Sequence, residues 1–210
     1  MLWPAIAIEA GPAPSTPLQE IAMSLISTEP PLVEPLSLAD LKTHLRLETA
    51  EEDALLGDLI AAARGHLEAV TGLALISQGF RLSLDDWPAA KVIHLPRFPV
   101  QSIDGIRIFD AAGLAQPVPL AGMLLDSESR PARLVLARMP LPGQAINGIE
   151  IDFSAGFGMA TEVPPELRRA LLLHAALMYE FRGSVPVAMQ PAAVPAGYER
   201  LISPWTRRAL

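Results

Sequence analysis

The chain has 210 residues, half of them hydrophobic, with 21 prolines, no cysteine and a net charge of −7. That length holds about one domain with appendages and can bury a substantial core, while the lack of cysteine excludes disulfides and thiolate chemistry. Only two lysines argue against a general nucleic-acid binder, and no apolar run approaches the roughly 18 residues of a membrane span.

Residues 1–35 contain "GPAPSTP" and "EPPLVEP", too broken by proline for a helix or an inner strand. They are predicted to form an extended arm. Met23 inside it would make a natural start, which leaves residues 1–22 as an extension of little structural weight, and no charged secretory start precedes Lys42. The folded body is expected over residues 36–183.

Two helices open that body. Ser37 and Asp40 have capping-box spacing, and so do Thr49 and Glu52. Helices are therefore predicted at about 37–47 and 50–71. The second places Leu55, Leu56, Leu59, Ile60, Ala63, Leu67 and Val70 on one face, with Gly72 where a left-handed cap belongs. Leu59 is expected to meet Leu171 or Leu177 of the last helix.

The middle, about 74–155, is predicted as strands: "ISQGFRLSL", "KVIHL", "SIDGIRIFD", "LAQPVPL", "ARLVLA" and "GIEIDFSA". The "DAAG" at Asp110–Gly113 suggests a hairpin with a glycine-containing loop. A last helix, about 164–182, starts at a proline pair and shows a stripe of Leu167, Ala170, Leu171, His174, Leu177, Met178 and Phe181. The expected fold class is α+β: a three-helix bundle, two helices N-terminal and one C-terminal, with an inserted small antiparallel β-sheet region and extended termini. Residues 184–210 are again proline-rich and are read as an extended tail.

Few residues suggest chemistry. Gly156 and Gly158 stand between a strand and a helix, where many proteins hold a phosphate, but no Lys-Ser, Lys-Thr or third glycine follows. Glu162 and Glu166 would repel a phosphate there, so the turn is read as a structural redirection of the chain. His44, His66, His94 and His174 show no metal-binding spacing, and no GxSxG elbow occurs. No cofactor, metal or catalytic residue is therefore assigned. Asp85, Asp86 and His94 are the least implausible trio for a rival reading as a small-ligand enzyme; a peptide-binding module is the second rival.

Charge and apolar groups point elsewhere. Residues 1–60 hold ten acids against Lys42 and Arg46, whereas residues 161–210 hold six arginines against four acids. Such asymmetry supports head-to-tail contact between copies or with a partner. In the tail, Tyr198, Leu201, Ile202 and Trp205 are large apolar groups in a segment too short to bury them by itself. They are expected to dock on a neighbouring subunit or another partner, with Trp205 as anchor and Arg207 and Arg208 meeting acidic groups; folding back on the chain's own body is the alternative.

Three segments carry a resemblance: "PLSLADLKTHLRLETAEEDALLGDLIAAARGHLEAVTGLAL", "IHLPRFPVQSIDGIRIFDAAG" and "VPPELRRALLLHAALMYEFRG". In this order, over about residues 36–183, they resemble the head–tail connector, or adaptor, proteins of long-tailed bacteriophages and phage-like gene transfer agents. The resemblance implies a structural subunit without enzymatic activity, forming a dodecameric ring in the neck of a particle assembled in the bacterial cytoplasm. It implies a portal protein above the ring, a stopper or tail protein below it, and double-stranded DNA passing through without specific binding. An acidic, lysine-poor chain suits a channel that DNA must leave quickly.

Overall fold

A computed structural model describes residues 23–181, 195 and 197–206. The extension 1–22 and the tail residues Arg207 and Arg208 lie outside the described residues.

The first strand, β1 (Met23–Glu29), lies in the segment read as an arm and is extended, but it is part of the sheet: it pairs antiparallel with β2 (Gln78–Leu84). As an edge strand it needs only one partner, which suits a segment followed by prolines. Helix α1 (Leu38–Leu45) starts as predicted, with Ser37 Oγ accepting the Asp40 N–H at 3.0 Å. Helix α2 (Asp53–Thr71) lacks the second expected cap. The Glu52 carboxylate accepts a hydrogen bond from the Tyr179 hydroxyl instead. Gly72 ends α2 in the left-handed conformation, φ 72°.

The strands β3 (Ile93–Leu95), β4 (Val100–Phe109), β5 (Ala115–Pro117), β6 (Leu124–Asp126), β7 (Ala132–Val135) and β8 (Ile149–Ala155) complete two antiparallel sheets. One has the order β1-β2-β8-β4-β5, the other β3-β7-β6. Strand β8 sits at the centre and alternates strictly, burying Ile149, Ile151, Phe153 and Ala155 while Glu150, Asp152 and Ser154 face outward. The β4–β5 hairpin turns at the predicted loop: Asp110 Oδ1 accepts the Ala112 and Leu114 N–H groups, both at 2.9 Å, and Gly113 takes φ 79°. Helix α3 (Pro165–Glu180) follows β8, and α4 (Tyr198–Ile202) lies in the segment read as an extended tail.

The expected three-helix bundle with a small inserted sheet is therefore incorrect. Among the described residues there are four α-helices and eight strands, and the strands own a core of their own. The helical cluster and the sheet cluster each contain eighteen buried residues, so neither is an appendage of the other. The two sheets turn their apolar faces into one cluster, joining Phe80, Leu82, Ile151 and Phe153 to Ile93, Leu95, Ala132 and Leu134. Short strands such as β6, three residues long, leave little periodicity in the sequence to reveal a second sheet.

The buried line of α2 runs through Leu56, Ile60, Ala63, Leu67 and Thr71, slightly rotated from the predicted stripe. Leu55 and Leu59 flank it, partly buried, and Val70 is exposed. Across from it, α3 buries Leu167, Ala170, Leu171, Ala175, Ala176 and Tyr179. Small alanines at the contact let the two helices approach closely. Leu67→Ala should therefore cost about 2–5 kcal/mol of stability, and Leu59→Ala clearly less, by chemical denaturation. Equal losses would contradict this helix orientation.

Candidate interaction surface

The glycine turn after β8 is a chain crossing. Gly156 N–H donates to the Pro99 carbonyl at 2.8 Å, and Ser77 N–H donates to the Gly158 carbonyl at 3.1 Å. Gly156 has φ 143° and Gly158 φ 117°. A Cβ on Gly156 would collide with the Ile76 carbonyl, a backbone group that cannot swing away, whereas one on Gly158 would meet only the Glu162 side chain. Glu162 also takes the turn's free amide, accepting the Met159 N–H at 2.6 Å. A carboxylate thus occupies the place a phosphate would need.

The trio of the enzyme reading is spent on turns and strand pairing. Asp85 Oδ1 accepts the Asn147 N–H at 2.8 Å and Asp86 Oδ1 the Trp87 N–H at 2.7 Å. His94 lies on β3 opposite Arg133. No group of three or more His, Cys, Asp or Glu among the described residues could hold a metal ion.

The tail residues divide. Tyr198 and Ile202 are buried in the chain's own helical core, at 0% and 2% exposure. Leu201 and Trp205 pack on that core while remaining partly exposed, and Trp205 meets Phe157 edge-on with ring centres 5.6 Å apart. The spacing of Tyr198, Leu201 and Ile202, one face of a helical turn, was the signal available for α4. The prolines on either side hid it. Arg130 fastens this end of the chain: its Nη2 donates to the Trp205 carbonyl at 2.8 Å and to the Thr71 carbonyl at 3.0 Å.

Beneath α4 three rings meet, an arrangement that the sequence did not reveal. His174 contacts His66 edge-on at 5.0 Å and Tyr198 at 5.4 Å. Burial, and secondarily the nearby His66, lowers the His174 pKa from its ordinary value. Burial also pushes the Tyr198 phenol up to about 12, helped by the Glu199 charge.

Two features of the described surface differ in what they offer a partner. On the outer face of the larger sheet, Arg81 bonds Asp152 at 2.6 Å and Arg107 bonds Glu150 at 2.6 Å and Asp152 at 2.9 Å. These cross-strand charges satisfy one another and leave little to attract a ligand. Between α1 and α3, in contrast, opens a groove of about 440 Å³, floored by Leu36, Pro165 and Leu172 and rimmed by Asp40, His44, Arg168 and Arg169. Arg168 and Arg169 outweigh Asp40, whose carboxylate accepts the Ser37 hydroxyl at 2.6 Å, so the rim is net cationic on an acidic chain.

Residues 35–107 match the model of the phage gp6-like head-tail connector proteins. Among solved structures, a chain from the neck of an empty gene transfer agent (GTA) particle, computed with C6 symmetry, is 36% identical, with a TM-score of 0.75 over 89% of this chain and 97% of that one. A chain of the virion of a native GTA particle is 36% identical at TM-score 0.72, over the same shares. A chain from the neck of a native GTA particle, computed with C12 symmetry, is 35% identical at TM-score 0.70, over 90% and 97%. No curated protein sequence matches the chain. The chain belongs to the head–tail connector, or adaptor, family of long-tailed phages and phage-like gene transfer agents.

Because His174 resists protonation when folded and takes a proton near 6.5 when unfolded, acidification through that value favours the unfolded chain. Melting temperature should fall as pH drops from about 7 to 5, and His174→Gln should remove part of that fall. An unchanged slope in the variant would show that the ring cluster does not govern it.

Proposed function

We infer that this chain is the structural adaptor subunit in the neck of a phage-like particle. The observation that carries the reading is its 36% identity across 97% of a GTA neck chain, with the fold preserved at TM-score 0.75. The subunit works as part of a ring, which the twelvefold symmetry of a related neck supports. Twelve copies then surround a channel, with a portal protein on one side and a stopper or tail protein on the other. Double-stranded DNA passes without being gripped, since the subunit is acidic and offers few lysines to release condensed counterions. A small-ligand enzyme is not favoured, because the relatives are components of particles.

Contact with the portal is assigned to the C-terminal end. Tyr198 and Ile202 set the position of that end from inside the core, while Leu201 and Trp205 retain exposed surface for a partner. Arg207 and Arg208 follow directly and would pair with acidic groups there. Burying one large side chain contributes about 1.5–3 kcal/mol, so a single copy binds weakly and a closed ring strongly.

The test is reconstitution. Purified protein added to particles that contain the portal but lack the adaptor should produce a ring at the portal vertex in electron micrographs, and Trp205→Ala should reduce its occupancy. Particles that stay bare under saturating protein would rule out the adaptor reading.

A further inference from the structure

We propose that the groove between α1 and α3 receives the acidic α1–α2 turn of the neighbouring copy, making the head-to-tail contact of the ring. The inference deepens the adaptor reading and rests on it. The two surfaces are complementary in charge. Arg168 and Arg169 line the groove, and neither makes a salt bridge among the described residues. Arg168 Nε is also buried without an acceptor among them, the kind of orphan donor that marks an incomplete site. The turn between the helices exposes Glu48, Thr49, Ala50 and Glu51, and neither glutamate has a salt-bridge partner among the described residues.

Their placement also suits a ring. Pro165 and Arg168 of the groove belong to the first turns of α3, whereas Tyr179 near the other end of α3 hydrogen-bonds Glu52, next to the turn. From residue 165 to residue 179, α3 rises by about 21 Å. Arg168 and Arg169 and the acidic turn, set toward opposite ends of α3, form no ion pair with each other within the subunit. They can pair between copies related by rotation, the heterologous geometry that closes into rings. The groove floor of Leu36, Pro165 and Leu172 would cover the turn's apolar side, and the arginines would meet Glu48 and Glu51.

The sequence has no cysteine, so introduced thiols are unique. Ala50→Cys and Pro165→Cys keep every charge, and within one subunit the two sites are too far apart for a disulfide, which needs Cα atoms within about 7 Å. The double variant, bound to adaptor-free portal particles and oxidised, should give a ladder of covalent oligomers. Mixed single variants should give only the 50–165 dimer. Adding Arg168→Glu and Arg169→Glu should abolish the ladder, and further adding Glu48→Arg and Glu51→Arg should restore it. Rings visible on the particles with monomers only on the gel would overturn this contact and leave the adaptor reading intact. Particles that carry no ring would instead count against the adaptor reading itself.

Discussion

The last turn of α2 is where the two cores are held together. Glu68 is buried there at 8% exposure, and its carboxylate accepts the Leu75 N–H at 2.8 Å, Gln78 Nε2 at 2.9 Å and Arg64 Nη1 at 3.2 Å. Arg64 reaches on to Glu34 at 2.7 Å, which fixes the chain entering α1. Of the backbone carbonyls in the same turn, that of Glu68 accepts the Gly72 N–H at 2.9 Å and also Arg97 Nη1 at 2.8 Å, while that of Thr71 accepts Arg130 Nη2 at 3.0 Å. Guanidinium groups at a helix C-terminus are also favoured by its dipole. A buried carboxylate is costly unless its acceptor sites are filled, and removing one partner of such a pair costs about 3–5 kcal/mol. Several of the links between the helices and the sheets thus pass through a few residues whose hydrogen bonds cannot be given up singly.

That junction explains why a subunit of two cores can act as one piece. Arg97 comes from the segment between β3 and β4, and its guanidinium also lies 5.6 Å from the Phe80 ring in the sheet core. Arg130 lies 5.1 Å from the Phe98 ring and holds the Trp205 carbonyl. The sheet, the long helix and the C-terminal end are thus indexed to one another by two side chains. In the proposed ring, a contact made at the C-terminal end would reach the sheet through these two side chains.

Much of this fold could be read from the sequence, and the failures have physical causes. The long stripes of α2 and α3 and the alternation of β8 are strong because each element is half buried along its whole length. The Asp110–Gly113 loop was legible because its geometry demands an Asp side chain at the start and a left-handed residue at the end. Strand β1 was missed as a strand because its exposed pattern, with only Leu25 partly buried, comes from pairing at an edge rather than from burial. Helix α4 was missed because its one signal, the spacing of Tyr198, Leu201 and Ile202, spans only five residues and lies between prolines. The Glu68 junction was invisible for the opposite reason. Its partners lie at Glu34, Arg64, Leu75, Gln78 and Arg97, and no local spacing announces that they converge.

The position of Tyr198 and Ile202 bears on the order of assembly. A subunit whose C-terminal end awaited a neighbour would leave the α2–α3 pocket open to water, with large apolar area exposed before assembly. Here that end fills its own pocket, so the subunit closes its core alone. What it offers neighbours in the proposed ring includes a short cationic groove, an acidic turn and the outer parts of Leu201 and Trp205. Each such contact is weak, because exposed charge pairs contribute only about 0–1 kcal/mol. In the proposed ring, weakness in the single contact is compatible with a stable whole. Closure makes the final contacts intramolecular, so free subunits need not associate in solution for the ring to hold. A core completed within the chain and sparse, complementary surfaces are two sides of the same arrangement.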